Sequence, residues 1–244
     1  MKIIKTILSV AMISTSSVYV YGQTADEIVN KYLETVDPGK KLGKLEAVKM
    51  EMTAKSQGME IPVTMFNAKN GEMLLKLNFQ GKEITQMAFD GKDMWSTNFM
   101  TMKPEKADAE TTENMKQNVD FPDGFLNYKA KGYKVEYLGK ETKDGTETFK
   151  IKLTKKPIKV EGKPQENFSF YYFDTDSYLP IVTESEIHSG PMKGQKSVSK
   201  MSDYQEVDGI YFPFSMQMMG QEIKVNKVTL NPTVDKNMFA FPAP

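Results

Sequence analysis

Three pairs of aspartates are the first candidates for a catalytic or metal-binding site in this sequence. They are Asp90 with Asp93, Asp174 with Asp176, and Asp203 with Asp208. Two nearby carboxylates can catalyse glycoside hydrolysis or bind calcium through their oxygens. Each pair, however, lies between two alternating apolar runs, where Asp is favoured because it bonds its own backbone. We therefore interpret the pairs as turns, and hydrolysis by a carboxylate pair remains the third hypothesis for function.

Other catalytic and metal-binding groups are scarce. The chain has one histidine, His188, in the polar stretch EIHSGPMKG, and it has no cysteine. A Ser-His-Asp triad would have to use His188, but no nucleophile-elbow pattern accompanies it. The inventory excludes a zinc site of histidine and cysteine. We predict a protein that is not an enzyme and has no catalytic residue, metal site or cofactor.

The charges are balanced, with 32 cationic and 32 acidic residues, and every cation is a lysine. Such a chain has no strong field to attract nucleic acid. Arginine, the residue best suited to bidentate binding of phosphate or carboxylate, is absent. We therefore expect no nucleic-acid partner.

The first residues have the pattern of an export signal. Lys2 and Lys5 precede an apolar run at 7–13, and small or polar residues follow up to Gly22. We predict a signal peptide at 1–22, cleaved near Gly22–Gln23, and one domain at 23–244. Without cysteine there is no lipid-anchor site, and no later apolar run has the roughly 20 residues of a membrane span. The expected location is the periplasm.

Hydrophobic periodicity predicts a protein dominated by antiparallel strands. Thr24 and Glu27 have capping-box spacing, which predicts a helix at 24–36. From Val48 the period changes to two, and turns such as KNGE and FDGKD separate successive runs. Strands are predicted at 48–54, 61–66, 73–79, 83–89, 94–100, 134–138, 146–154, 167–174, 179–187, 195–204, 210–218 and 222–230. A bulge near Asn226–Lys227 would reconcile the two parities of the last strand.

A polar, helix-favouring excursion at 104–128 interrupts the strands. About a dozen strands at short spacing predict a mainly β (α+β) fold. We expect a single large curved antiparallel sheet, an open half-barrel with a few helices covering its mouth. A sheet of this size must curl, so its concave face must be filled by side chains, by helices or by a ligand.

Methionine is unusually abundant, with 18 in the full chain. It is flexible and polarizable, and therefore suits variable apolar partners, although it also fills ordinary cores. We expect Trp95 to face inward because Phe99 shares its parity. The residues predicted to line the cavity are Met50, Met52, Met65, Leu75, Leu77, Phe79, Met87, Phe89, Trp95, Phe99, Phe121, Phe125, Phe170, Tyr172, Phe214, Met216 and Met218.

Four stretches give the chain a resemblance to a known family. They are the DG…W hairpin at 89–95, FDTDSYLP at 173–180, YQEVDGIYFPFS at 204–215 and NPTVDKNMFAFP at 231–242. With the leading helix, they resemble the periplasmic lipoprotein carriers of the LolA/LolB type and their superfamily of outer-membrane lipoprotein-sorting proteins. The Met- and Lys-rich composition is similar to that of a Bacteroidetes-type homologue.

The resemblance implies a half-open barrel whose hydrophobic cavity accepts acyl chains. Those carriers hold the helical lid with an arginine on an early strand, and this chain has no arginine. We predict a monomeric carrier of a lipid or lipoprotein acyl chain, with outer-membrane lipoprotein sorting as the implied role. Membrane-bound donor and acceptor proteins are the further partners that this role implies. The alternative is a non-enzymatic sensory or protein-interaction module on the same fold.

Overall fold

The fold is described from a computed structural model, for residues 23–56, 58–188 and 192–242. The predicted signal peptide lies outside these residues. The strands are β1 (Ala47–Ser56), β2 (Met59–Ala68), β3 (Met73–Phe79), β4 (Lys82–Phe89), β5 (Met94–Thr97), β6 (Pro104–Lys106), β7 (Lys134–Lys143), β8 (Thr146–Thr154), β9 (Ile158–Val160), β10 (Lys163–Gln165), β11 (Phe168–Asp174), β12 (Pro180–Glu186), β13 (Lys196–Val207), β14 (Ile210–Met218) and β15 (Gln221–Leu230).

Thirteen of these strands form one antiparallel sheet in the order β6-β5-β4-β3-β2-β1-β15-β14-β13-β12-β11-β8-β7. The sheet is open, because β6 and β7 are its two edges. Strands β9 and β10 form a separate small hairpin. The prediction of a mainly β fold with one large open antiparallel sheet is confirmed.

Two α-helices accompany the sheet. Helix α1 (Ala25–Val36) begins at the predicted capping box: the Glu27 amide donates to Thr24 Oγ1 at 3.2 Å, and the Thr24 amide donates to Glu27 Oε2 at 2.8 Å. One side of α1 is buried, and the helix lies against β14 and β7. Helix α2 (Ala109–Asn118) is anchored to the small hairpin, because Glu110 accepts the amides of Glu161 and Gly162.

Several boundaries differ from the prediction. The excursion at 104–128 is helical only in α2, and its first residues form strand β6. The strand predicted at 94–100 ends at Thr97, because Asn98 Oδ1 accepts the amides of Met100 and Thr101 and turns the chain. Strand β7 continues past a bulge between Tyr137 and Lys140, and β9 and β10 were not predicted.

The bulge predicted in the last strand is confirmed. Met52 pairs with Val225 whereas Glu51 pairs with Lys227, so Asn226 has no opposite residue. The side-chain amide nitrogen of Asn226, Nδ2, donates to Thr53 Oγ1 at 2.8 Å. The extra residue returns Val225 and Val228 to the same face as Met52, and both are buried there.

The two faces of the sheet pack against different partners. We call the face that carries α1 the inner face. Its core includes Ile28 and Val29 of α1 with Ile151, Leu153 and Phe173 of the sheet. On the opposite, outer face, a smaller cluster joins β1–β5 to the C-terminal segment, in which Phe239 is buried. The order of strands therefore places the largest core beneath α1.

Candidate functional site

Strand register shows that methionine and leucine recur on the inner face of β1–β4. Met50 pairs with Met65, Met65 with Leu75, and Leu75 with Met87. Directly paired residues share a face of a sheet. The pairing of Met52 with Val63 and of Val63 with Leu77 extends the same apolar surface.

We call six of these side chains the inner trough. All six are half-buried, although they lie on the same face as the core. They are Met50, Val63, Met65, Leu75, Leu77 and Met87. Phe214 and Met216 of β14 are also half-buried on this face, where Met216 pairs with Ile223. The inner trough is therefore apolar surface that the chain itself only partly covers.

The inner face beneath α1 is packed differently. Ile151, Leu153 and Phe173 are each 0% exposed there. Phe125, from the segment after α2, inserts between α1 and the sheet, with ring centroids 5.7 Å from Tyr32 and 5.5 Å from Phe173. Aromatic side chains bury large areas in such edge-to-face contacts. This part of the inner face is filled by the protein's own side chains.

A buried polar contact holds α1 in place. Tyr32 donates its hydroxyl to Asp123 Oδ2 at 2.6 Å, and the Phe125 amide donates to Asp123 Oδ1 at 2.6 Å. Burial raises the pKa of Asp123, although these hydrogen bonds favour its ionised form. Burial, together with the Asp123 carboxylate, also raises the pKa of Tyr32 well above its usual value. The contact joins the middle of α1 to the segment that follows α2.

The same segment is fastened at two other points. At the start of α1, Asp26 accepts hydrogen bonds from Tyr128 and from Lys129, and these bonds lower the pKa of Asp26. At the start of the segment, Asp120 forms an ion pair with Lys155 at the end of β8. Residues 120–133 therefore form a strap, which fixes α1 over the sheet with aspartate, tyrosine and lysine.

Most of the predicted lining residues share the inner face. Register and strand alternation place eleven of them there, namely Met50, Met52, Met65, Leu75, Leu77, Phe79, Met87, Phe89, Phe214, Met216 and Met218. Phe121 and Phe125 reach the inner core from the strap. Met52, Phe89 and Phe125 are buried, and Met218 is 44% exposed. According to their burial, these side chains therefore belong to the core or to the inner trough, or lie at the exposed end of a strand, as Met218 does.

The inward orientation predicted for Trp95 is wrong. Trp95 pairs with Ala88, Ala88 with Leu74 and Leu74 with Phe66, and all four belong to the outer cluster. The indole donates to the carbonyl oxygen of Phe239 at 2.8 Å. Phe99 supplied the parity argument, but it lies beyond the end of β5 in a turn and is 59% exposed.

Phe170 and Tyr172 also lie on the outer face. They pair with Lys152 and Lys150, whereas Tyr171 pairs with inner-face Ile151. The Lys143 ammonium lies 4.3 Å from the Tyr172 ring centroid, and the Lys150 ammonium lies 5.0 Å from that of Phe170. Lysine stems and ammonium groups thus cover these rings on the outside. Their assignment to a cavity wall is corrected.

Sequence reasoning did not identify Val63, Tyr32 or Asp123 as parts of this site. Val63 shares the parity of Met65, so alternation along β2 could have identified it. Tyr32 lies within the helix predicted at 24–36, but its contact with Asp123 joins residues 91 positions apart. No local pattern indicates such a contact.

Two of the three aspartate pairs occupy turns. In the third, Asp208 lies in the turn after β13, but Asp203 lies within β13 with a φ of 53°, so the turn interpretation is wrong for Asp203. Asp90 Oδ1 accepts the amides of Lys92 and Asp93 at 2.8 and 2.7 Å. Asp174 Oδ1 accepts the amide of Asp176 at 3.0 Å. These are the backbone contacts on which the turn interpretation rests. His188 follows β12 and is half-buried, and residues 189–191 beyond it are outside the described structure.

Three shallow pockets lie away from the inner trough. One of about 480 Å³ lies between Ala47, Ala68 and Asn231, and a second of about 550 Å³ lies among Thr53, Lys200 and Ser215. A third, of about 360 Å³, separates α1 from the strap near Leu33 and Phe125. The third pocket lies between α1 and the strap, so it would widen if α1 moved away from the strap.

The fold is shared with solved structures of very different sequence. A LolA superfamily protein from Nitrosomonas europaea is 13% identical, with 90% of this chain and 98% of that chain covered at a TM-score of 0.54. A DUF1329 family protein from Desulfovibrio piger is 12% identical, with the same coverage and a TM-score of 0.53. The sequence matches no family model and no curated protein. At these identities the comparison establishes the fold alone.

In the described part of the chain, no helix has the length and apolar character needed to cross a membrane.

Proposed function

We propose that the protein is a periplasmic carrier that holds the acyl chain of a lipid or lipoprotein along the inner trough without making or breaking a bond. The observation that carries this proposal is the inner trough itself. Six methionine, leucine and valine side chains share one face and stay half-buried, while the same face beneath α1 is filled. Each methylene buried there would contribute about 0.8 kcal/mol.

Residue chemistry supports the choice of an acyl chain. The trough combines unbranched methionine with leucine and valine, so it can adapt to a flexible chain without a fixed shape. The fold shared with a LolA superfamily protein supports a carrier, and the export signal predicted at 1–22 supports the periplasm. We place the function in one domain at 23–244, with lipoprotein sorting as its more specific form.

The test is palmitate binding measured by calorimetry, with two neighbouring substitutions on β2. Met65→Gln places an amide in the inner trough and should weaken palmitate binding by about five- to 150-fold, because burying an unpaired amide costs about 1–3 kcal/mol. Thr64→Gln, one residue away on the opposite face, is the matched control and should bind as the wild type does. Equal affinities in both variants, or no binding by the wild type, would refute the carrier.

The protein-interaction alternative predicts apolar surface that stays exposed in the free protein. Such side chains are present, for example Phe99 at 59% and Met100 at 88% exposure. They lie outside the inner trough, at the ends of strands, so binding of an acyl chain in the inner trough does not explain their exposure.

A further inference from the structure

Exposed apolar side chains are concentrated at one end of the sheet. Ten large hydrophobic side chains are exposed among the described residues, and seven of these lie in turns or at strand ends beside turns at this end. We call the seven the apolar rim: Met59, Phe99, Met100, Met102, Met192, Met218 and Met219. Single exposed hydrophobics are ordinary, but a group of seven at one end of a sheet is a candidate interaction surface.

Register places these turns side by side. Lys55 of β1 pairs with Glu60 of β2 and with Glu222 of β15, so the turns bearing Met59 and Met219 are neighbours. Met218 pairs with Ser199 of β13, which puts the β12–β13 connection, with Met192, on the other side. Strand β5 runs antiparallel to β4, so the loop at 98–103 returns toward the end where β4 begins.

The rim is continuous with the inner trough. Met218 has the parity of Met216 and Phe214 along β14, and Phe79 has the parity of Leu77 and Leu75 along β3. An acyl chain could therefore pass from the rim to the inner trough along apolar side chains. This continuity provides a route to the inner trough from a surface on which the rim lies.

Shape and charge indicate the kind of partner. The rim side chains project from separate turns rather than from one flat patch, so they present little surface that a rigid protein could match. A bilayer interface requires no such match and accepts flexible methionine and phenylalanine. Charges beside the turns are mixed, with Lys55, Lys82 and Lys103 near Glu60 and Glu222, so no strong field selects an anionic partner.

We propose that the apolar rim docks the protein on the surface of a lipid bilayer, with the inner trough opening toward it. The transfer of an acyl chain from that bilayer rests on the proposed function. Docking itself does not, since it needs only the rim. The two ideas can therefore fail separately.

The backbone allows a clean test. Met102 and Met219 have positive φ, 56° and 50°, a conformation in which asparagine is better tolerated than methionine. Met102→Asn and Met219→Asn should therefore remove apolar side chains without loss of fold. Met100→Ser, at 88% exposure, completes a triple variant. Leu138→Ser is the matched control, because Leu138 is 49% exposed on the edge strand β7, away from the rim.

The experiment is flotation of the protein with vesicles of phosphatidylethanolamine and phosphatidylcholine in equal parts. The vesicle-bound fraction of the wild type should survive about 0.5 M salt, since apolar insertion is not screened. The triple variant should lose binding about tenfold or more, and Leu138→Ser should bind like the wild type. If circular dichroism shows the triple variant to be unfolded, Phe99→Ser alone replaces it and should still weaken binding severalfold.

Other outcomes would overturn the proposal. A wild type that does not float, or rim variants that float as well as the wild type does, would do so. Self-association of the wild type that the rim variants abolish would identify a second copy of the chain as the occupant instead. Palmitate calorimetry without vesicles distinguishes the two ideas: a rim variant that binds palmitate but not vesicles supports both, whereas vesicle binding without palmitate binding refutes the carrier alone.

Discussion

The inner face of one sheet is used in two ways. Beneath α1 and the strap it is filled by rigid aromatic and branched side chains, with Ile151, Leu153 and Phe173 fully buried. Over β1–β4 the same alternation presents methionine and leucine that stay half-buried, as at Met65 and Leu75. Strand periodicity therefore defines an apolar face, while the segments packed on that face determine whether it becomes core or binding surface.

The largest expected effect is a difference in the free energy of unfolding between substitutions beneath α1 and substitutions in the inner trough. Phe173→Ala removes a fully buried ring that contacts Tyr32 and Phe125, and should lower the free energy of unfolding by about 3–5 kcal/mol. Leu75→Ala in the inner trough should cost about 1 kcal/mol, because that side chain is only half-buried. Urea unfolding measures both. Equal losses would mean that the trough is as tightly packed as the covered region.

A smaller effect should come from the contact that holds α1. Tyr32→Phe removes the hydroxyl that donates to Asp123 Oδ2 and leaves a buried acceptor unpaired, which should cost about 1–3 kcal/mol. Hydrogen exchange of α1 should accelerate, since its opening becomes easier. Tyr137→Phe removes a hydroxyl from a half-buried inner-face site and is the control. Unchanged exchange in α1 would show that the Tyr32–Asp123 contact does not hold the helix.

The region beneath α1 and the strap should also make a pH-dependent contribution to the free energy of unfolding. Because burial raises the folded-state pKa of Asp123 above its ordinary value of 3.8, the folded protein binds this proton more tightly than the unfolded chain. The stability that this group contributes is present below pH 3.8 and is lost as pH rises through the raised pKa.

Comparison with Asp123→Asn isolates this contribution. The free energy of unfolding of the wild type minus that of Asp123→Asn should fall over the same interval of pH. The neighbouring Tyr32, Tyr171 and Tyr204 titrate far above it, because burial raises the pKa of each. Burial lowers the pKa of Lys131, which is present in both proteins. A difference that rises with pH would show that the carboxylate is stabilised in its ionised form instead.

Palmitate binding should have no effect on the fluorescence of Trp95. Trp95 is 6% exposed on the outer face and bonds to Phe239, so it lies away from the inner trough. Its fluorescence emission should not shift when palmitate binds, while calorimetry reports binding. A saturable blue shift would mean that acyl chains reach the outer cluster.

Sequence periodicity separates the two faces where only one parity is apolar. In β1, Met50 and Met52 alternate with Lys49 and Glu51, and register places both methionines on the inner face. In β11 both parities are aromatic, so Phe170 could not be distinguished from Tyr171 by pattern. Phe170 lies on the outer face of β11, where lysines of the neighbouring strand β8, such as Lys150, cover it.

The remaining errors have a similar cause. The inward orientation of Trp95 was inferred from Phe99, but an Asn98 turn ends the strand between them. The contact partner of Trp95 is Phe239, far along the chain. The pattern along one strand shows which side chains share a face. Whether that face is the inner or the outer one depends on which distant segment packs against it.

The position of β15 has a consequence for how the chain acquires its structure. In the sheet order of the described residues, β15 lies between β1 and β14 and joins the meander β1–β6 to the strands that follow it. Each group of strands can pair locally as it emerges, but their junction must wait for the last strand of the sheet. Closure over so long a loop is entropically slow, so it should be a late step of folding. Until then β1 and β14 are unpaired edges, and the growing chain is most exposed to aggregation just before β15 is added.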